Sequence, residues 1–384
     1  MIKIALISLL VVLTSVLYVP VKNLVTVGGV FKNHINNNTA TCRSLSKDSL
    51  LRGCENGQLH PGSGIIFYAC AFNTEERDAW FPPADHLNRS VIAHGGIVAF
   101  DPKTETAIKL EIDSNVLTIT DGFAPHGMGI FEDPSDPSTI YIHAVNHRRA
   151  GGSCIEIFKH TLGAPNLHHI ETASNPAMLY HPNDVQPVGP RSFYASNDLG
   201  SRSYFLRKIE GLMGLRWGHV VYYHDGEWSI SAKDVAYPNG IAVSKNLELV
   251  YVSSTSSAEI LVFKRRPVSG SLRLVDQIKL PAIPDNISVD SETGALYVAA
   301  ISGCIQFLYH VEDHSVAVPG MVLKISPNEN TDKFYGKKFN VDVVMEWDGA
   351  LISGATCATY DHSTSKMVIG SLYSGGVVVC DKVA

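Results

Sequence analysis

From about residue 62 to the end, short apolar runs with β-branched and aromatic residues alternate with turns rich in Gly, Pro, Asn and Asp. The same unit returns several times. Pro238-Asn239-Gly240-Ile241-Ala242-Val243 is followed by Leu249-Val250-Tyr251-Val252-Ser253-Ser254. Asp285-Asn286-Ile287-Ser288-Val289 is followed by Ala295-Leu296-Tyr297-Val298-Ala299-Ala300. Asn183-Asp184-Val185 leads to Phe193-Tyr194-Ala195, and His126-Gly127-Met128-Gly129-Ile130 leads to Ile140-Tyr141-Ile142-His143. Third strands follow at Cys154–Phe158 and Glu259–Phe263, and Met367–Tyr373 with Val377–Val379 closes the chain. A period of roughly 45 to 60 residues with about four strands per unit predicts an all-β, six-bladed β-propeller. A β-sandwich with insertions explains the repeated turns less well.

Two stretches break the pattern. Ile4 to Val19 is almost wholly apolar, interrupted by Ser8, Thr14 and Ser15 and preceded by Lys3. It reads as a secretory h-region or a short signal anchor, and it falls short of the roughly 20 residues of a full span. Tyr18-Val19-Pro20 offers no small-residue cleavage site, which favours an uncleaved anchor. The organisation expected is residues 1–20 as signal peptide or anchor, 21–45 as linker and 46–384 as propeller. The protein is then secreted, or held in the secretory pathway by its N-terminus. Second, Ser203 to about Gly218 places Tyr204, Leu206, Ile209, Leu212, Met213 and Trp217 at near-helical spacing. This predicts a short helix that either packs on the propeller face or acts as a lid meeting substrate or membrane.

Charge and cysteine use narrow the function. The formal net charge is −6 and no basic run occurs, so nucleic-acid binding is not expected. Seven cysteines fit a secretory chain, and the odd number leaves at least one thiol unpaired. None forms a CxxC pair, so a zinc site has no support. N-x-S/T sequons stand at Asn37, Asn88 and Asn286; the first two lie in turn-like surroundings suited to glycans.

The chemistry lies ahead of the first apolar run of each unit. That place holds His126, then Asn183-Asp184, Asn239 and Asp285-Asn286, with Glu55-Asn56 near the start of the domain. Turn preference alone accounts for any one of these. A propeller brings equivalent turns to one end of its channel, and together they make a set of carboxylate and amide oxygens. Such a set suits Ca²⁺ better than zinc or copper. His147, at the end of the run Ile140–Asn146, could pair with His126 to handle a proton. There is no G-x-S-x-G elbow and no H-E-x-x-H motif.

Several segments in order resemble the serum paraoxonase/arylesterase family of calcium-dependent lactonases. They are Ala124-Pro125-His126-Gly127, Val145-Asn146-His147, Pro182-Asn183-Asp184-Val185, Phe193–Asp198, Pro238-Asn239-Gly240-Ile241, Asp285–Asp290 and Val368–Tyr373. The resemblance implies a six-bladed propeller with two calcium ions, one catalytic and one structural. It implies Glu55, Asn183, Asn239, Asp285 and Asn286 as ligands of the catalytic ion. Asp184 and the Met128 carbonyl match ligands of the structural ion. His126 and His147 match the histidine pair, and Cys42 and Cys380 the terminal disulfide. Asn286 as a ligand leaves its sequon unglycosylated. Asn56 departs from the pattern, standing where the family places an aspartate. The loops Phe72–Gly95 and Ser302–Pro319 also depart.

The expected activity is calcium-dependent hydrolysis of lactones and aryl or carboxyl esters, with Ca²⁺ stabilising the oxyanion and the histidine pair activating water. Two readings compete: another enzyme on a related propeller, gluconolactonase-like or strictosidine-synthase-like, and a non-catalytic secreted propeller, stabilised by calcium, that binds a lipid or protein partner.

Overall fold

In the computed structural model, residues 18, 21–23, 25–46, 49–113, 122–332 and 336–383 are described. The apolar N-terminal segment, apart from Tyr18, lies outside them. No helix among the described residues is long and apolar enough to cross a membrane.

Six sheets surround a channel, each built on four antiparallel strands running outward. The innermost strands are Cys54–His60, Pro125–Glu132, Pro182–Gly189, Pro238–Val243, Ile283–Val289 and Ala355–Asp361. Each touches the innermost strand of the next blade, and the last touches the first. The second blade carries an extra edge strand, Glu111–Ile112, paired in parallel with Asn166–Ala173. The innermost strand Pro182–Gly189 is buried along its whole length, as is its neighbour Ser192–Asn197. Burial on both faces explains why these strands read as continuous runs instead of alternating ones.

The ring closes by joining the two ends of the chain. Cys42–Ser44 forms the outer strand of the last blade, beside Val378–Cys380. Cys42 and Cys380 are direct register partners and are disulfide-bonded. This strand falls inside the stretch expected to be linker. Three residues carry no periodicity, and only pairing with a distant edge makes them a strand. A second disulfide, Cys54–Cys70, ties the first two strands of the first blade. It was not foreseen, because sequence spacing does not reveal register. Cys304 and Cys357 are not disulfide-bonded, and the Cys154 thiol lies 3.3 Å from Glu156 Oε1.

The expected helix is present but shorter, Tyr204–Met213, ending at Gly214 in the left-handed conformation (φ 62°). Gly adopts that conformation without the Cβ penalty, so it stops the helix there. Phe205 and Leu212 remain largely exposed on it. Asn37 and Asn88 are exposed, whereas Asn286 is buried.

Candidate active site

Every innermost strand begins with an irregularity at the same place. In all six blades one extra residue is accommodated between the first rungs of the ladder. A bulge re-aims side chains that strict alternation would direct elsewhere. The residues at the bulges are Glu55, His126, Asn183-Asp184, Asn239, Asp285-Asn286 and Thr356. The predicted side-chain ligands other than Asn56, together with His126, therefore stand at equivalent positions around one end of the channel; Asn56 and Met128 lie in register just beyond their bulges. Glycines allow the blades to come this close. A Cβ on Gly127 would lie 2.4 Å from Asp184 Cα, and one on Gly240 would lie 2.5 Å from Asn286 Cα.

Asn286 Nδ2 donates to Glu55 Oε1 at 2.7 Å. Asn56 Nδ2 donates to Asp184 Oδ1 at 2.9 Å and approaches the Met128 carbonyl at 3.3 Å. The acceptor side of the cluster is unsatisfied. Glu55 Oε2, Asn56 Oδ1, Asn183 Oδ1, Asn239 Oδ1 and Asn286 Oδ1 are all buried without a hydrogen-bond donor. Each such atom costs about 1–3 kcal/mol, so several gathered together need a positive partner. Burial raises the pKa of Glu55, Asp184 and Asp285, and the neighbouring carboxylates add to it for the two aspartates. Oxygen-only donors, rich in amides and with few carboxylates, fit a hard cation such as calcium. Among the described residues no group of three or more His, Cys, Asp or Glu is arranged to hold a metal. That does not conflict, because most of the unsatisfied oxygens here belong to asparagine amides.

The histidines meet beside this cluster. His126 Nδ1 lies 3.0 Å from His147 Nε2, and His147 Nδ1 lies 2.9 Å from Ser153 Oγ. His126 Nε2 is 3.7 Å from Glu55 Oε1. Phe81 packs edge-on against both rings, with centroids at 4.9 and 5.5 Å. Burial lowers the pKa of both imidazoles, His147 to about 3. Both imidazoles are thus neutral at physiological pH.

Several residues here were not foreseen. The loop at 72–95 supplies Phe81, Trp80, whose indole N–H donates to the His147 carbonyl at 2.6 Å, and the buried Arg77, which donates to the Pro125 carbonyl at 3.0 Å. The cavity above His147 is lined by Pro82, Ser153, His181, Asp198 and Arg207. Arg207, on the short helix, pairs with Asp85 and joins that helix to the loop. None of these has a repeat partner in the sequence; only the fold brings them to the histidines.

The fold is a six-bladed propeller with two histidines beside clustered amide and carboxylate oxygens. The chain belongs to the arylesterase family, whose profile matches residues 84–381. Serum paraoxonase/arylesterase 2 of Rattus norvegicus is 31% identical over 280 residues, covering 73% of this chain and 75% of that protein. Serum paraoxonase/arylesterase 1 of Mus musculus is 31% identical over 297 residues, covering 73% and 79%. Among solved structures, a luciferin-regenerating enzyme superposes with a TM-score of 0.51 at 12% identity, covering 88% of this chain and 94% of that one. This last likeness concerns the fold alone.

Proposed function

We propose that this protein is a calcium-dependent hydrolase of lactones and of aryl and carboxyl esters. Membership of the arylesterase family makes it an ester hydrolase. The observation that carries the finer reading is the set of donorless buried oxygens on Glu55, Asn183, Asn239 and Asn286, next to the histidine pair. These residues and Asp285 would hold the ion. Bound calcium supplies a positive charge that polarises the scissile carbonyl and stabilises the oxyanion.

The protein's own groups handle the proton. Nε2 of His126 accepts a proton from the attacking water only if it carries no hydrogen. The remaining hydrogen then sits on Nδ1 and is donated to His147 Nε2. His147 in turn carries its hydrogen on Nδ1, directed to Ser153 Oγ. In this tautomer, with Ser153 Oγ accepting from His147, His126 acts as the base, and the imidazolium formed is attracted by Glu55. His126 returns the proton to the departing alkoxide or phenoxide, so water is consumed and an ester yields an acid and an alcohol or phenol, a lactone its single hydroxy acid. Phe81 and the loop around it keep bulk water from the pair.

The two disulfides fit an oxidising compartment. Secretion, glycans on Asn37 and Asn88, and lipid association through the exposed face of the helix Tyr204–Met213 belong to the same proposal.

The test is hydrolysis of γ- and δ-lactones and phenyl acetate by the purified protein, with and without chelator. Activity lost with chelator and restored by Ca²⁺ but not Mg²⁺ supports the reading. Unchanged activity after calcium is verified absent by elemental analysis overturns it.

A further inference from the structure

We infer that this propeller holds a single calcium ion, and that the side-chain amide of Asn56 takes the place of a second. The inference rests on the calcium reading above and narrows it. The resemblance implied a deeper ion bound by Asp184 and the Met128 carbonyl. Both groups are already engaged by protein donors. Asn56 Nδ2 donates to Asp184 Oδ1 at 2.9 Å and to Met128 O at 3.3 Å. The same carboxylate oxygen accepts from Val185 N at 2.8 Å, and Asp184 Oδ2 accepts from Ile241 N at 2.9 Å.

Every one of these contacts points the positive end of an N–H dipole at the oxygens a cation would need. Reversing the amide would set Asn56 Oδ1 against Asp184 Oδ1 and Met128 O, three acceptors with no donor among them. The orientation with Nδ2 inward is the one the surroundings select. An aspartate at this position has no such choice, because an ionised carboxylate only accepts. The two halves of the channel therefore differ in kind. Around Glu55, Asn183, Asn239 and Asn286, oxygens are left without donors, as is Asn56 Oδ1; both Asp184 oxygens, by contrast, accept from N–H groups.

The experiment counts metal. Wild-type protein is equilibrated with Ca²⁺, freed of unbound ion and measured by elemental analysis, with calorimetric Ca²⁺ titration as a second count. One ion per chain is expected, rising to two in Asn56→Asp, whose thermal midpoint should also gain more from added Ca²⁺ than the wild type gains. Two ions in the wild type would overturn the inference and leave the calcium reading standing. No ion would overturn the calcium reading itself. A folded Asn56→Asp that still binds one ion would overturn the role given to Asn56. The wild-type count decides the matter even where that variant does not fold.

Discussion

His126 and His147 meet nitrogen to nitrogen at 3.0 Å, and the outer nitrogen of His147 is held by Ser153 at 2.9 Å. On the proposed mechanism the two rings act as one proton-handling unit, and their loss should not add. Either His126→Gln or His147→Gln is expected to lower kcat by about 10²–10⁴-fold. The double variant should fall little further than the worse single one. Steady-state kinetics on phenyl acetate checks this, and two fully additive losses would separate the rings into independent roles.

The pair is aimed from behind by Asn146. Its Oδ1 accepts from Ala124 N at 3.0 Å, and its Nδ2 donates to Glu156 Oε1 at 3.1 Å. Burial works against the Glu156 carboxylate, but hydrogen bonds from His169, Thr172, Asn146 and Cys154 bring its pKa below the ordinary value. Asn146→Ala removes the bridge between the strand carrying His126 and the one leading to His147. It should cost about 1–3 kcal/mol by leaving buried groups unpaired. It should also lower kcat more than it raises KM. Denaturant titration with kinetics measures both; a stability loss at unchanged kcat would reduce Asn146 to a structural group.

Acid sensitivity should arise partly far from the site. His143 is wholly buried, its Nε2 lies 3.2 Å from the Pro190 carbonyl, and its Nδ1 has no hydrogen-bond partner. Burial pushes its pKa down to about 3, below the unfolded value of about 6.5. Between those values the unfolded chain binds more protons than the folded one. Stability therefore falls as pH drops through that window, by up to about 1.4 kcal/mol per unit. His143→Leu should show a shallower loss between pH 6.5 and 4 by thermal or urea unfolding. An unchanged slope would remove His143 from the account.

The two disulfides should differ in worth. Cys42–Cys380 spans a sequence separation of 338 and Cys54–Cys70 one of 16. Loop-closure entropy assigns about 6 kcal/mol to the first and about 3 kcal/mol to the second. Cys42→Ser should therefore lower the unfolding midpoint more than Cys70→Ser, and equal losses would argue that the blade pairing closes the ring unaided.

Much of this molecule was written in its repeats. Runs such as Leu249–Ser254 and Leu296–Ile301, each behind an Asn- or Asp-bearing turn, specify strands and their number because the period persists along the chain. The same repetition marked Glu55, His126, Asn183, Asn239 and Asp285 as equivalent positions. What repetition could not carry was anything occurring once. The edge strand Cys42–Ser44 exists only because its partner lies at the far end of the chain. The bridge between Cys54 and Cys70 follows from register, and Arg77, Phe81, Ser153 and Arg207 come to the site on connecting segments, two of them helical, with no counterpart in other blades. The identity of Asn56 was legible as a departure, but which of its amide atoms faces Asp184 depends on acceptors, Asp184 Oδ1 and the Met128 carbonyl, brought by two other blades. Local pattern determines what a strand is; which dipoles it meets is decided by the ring that closes around it.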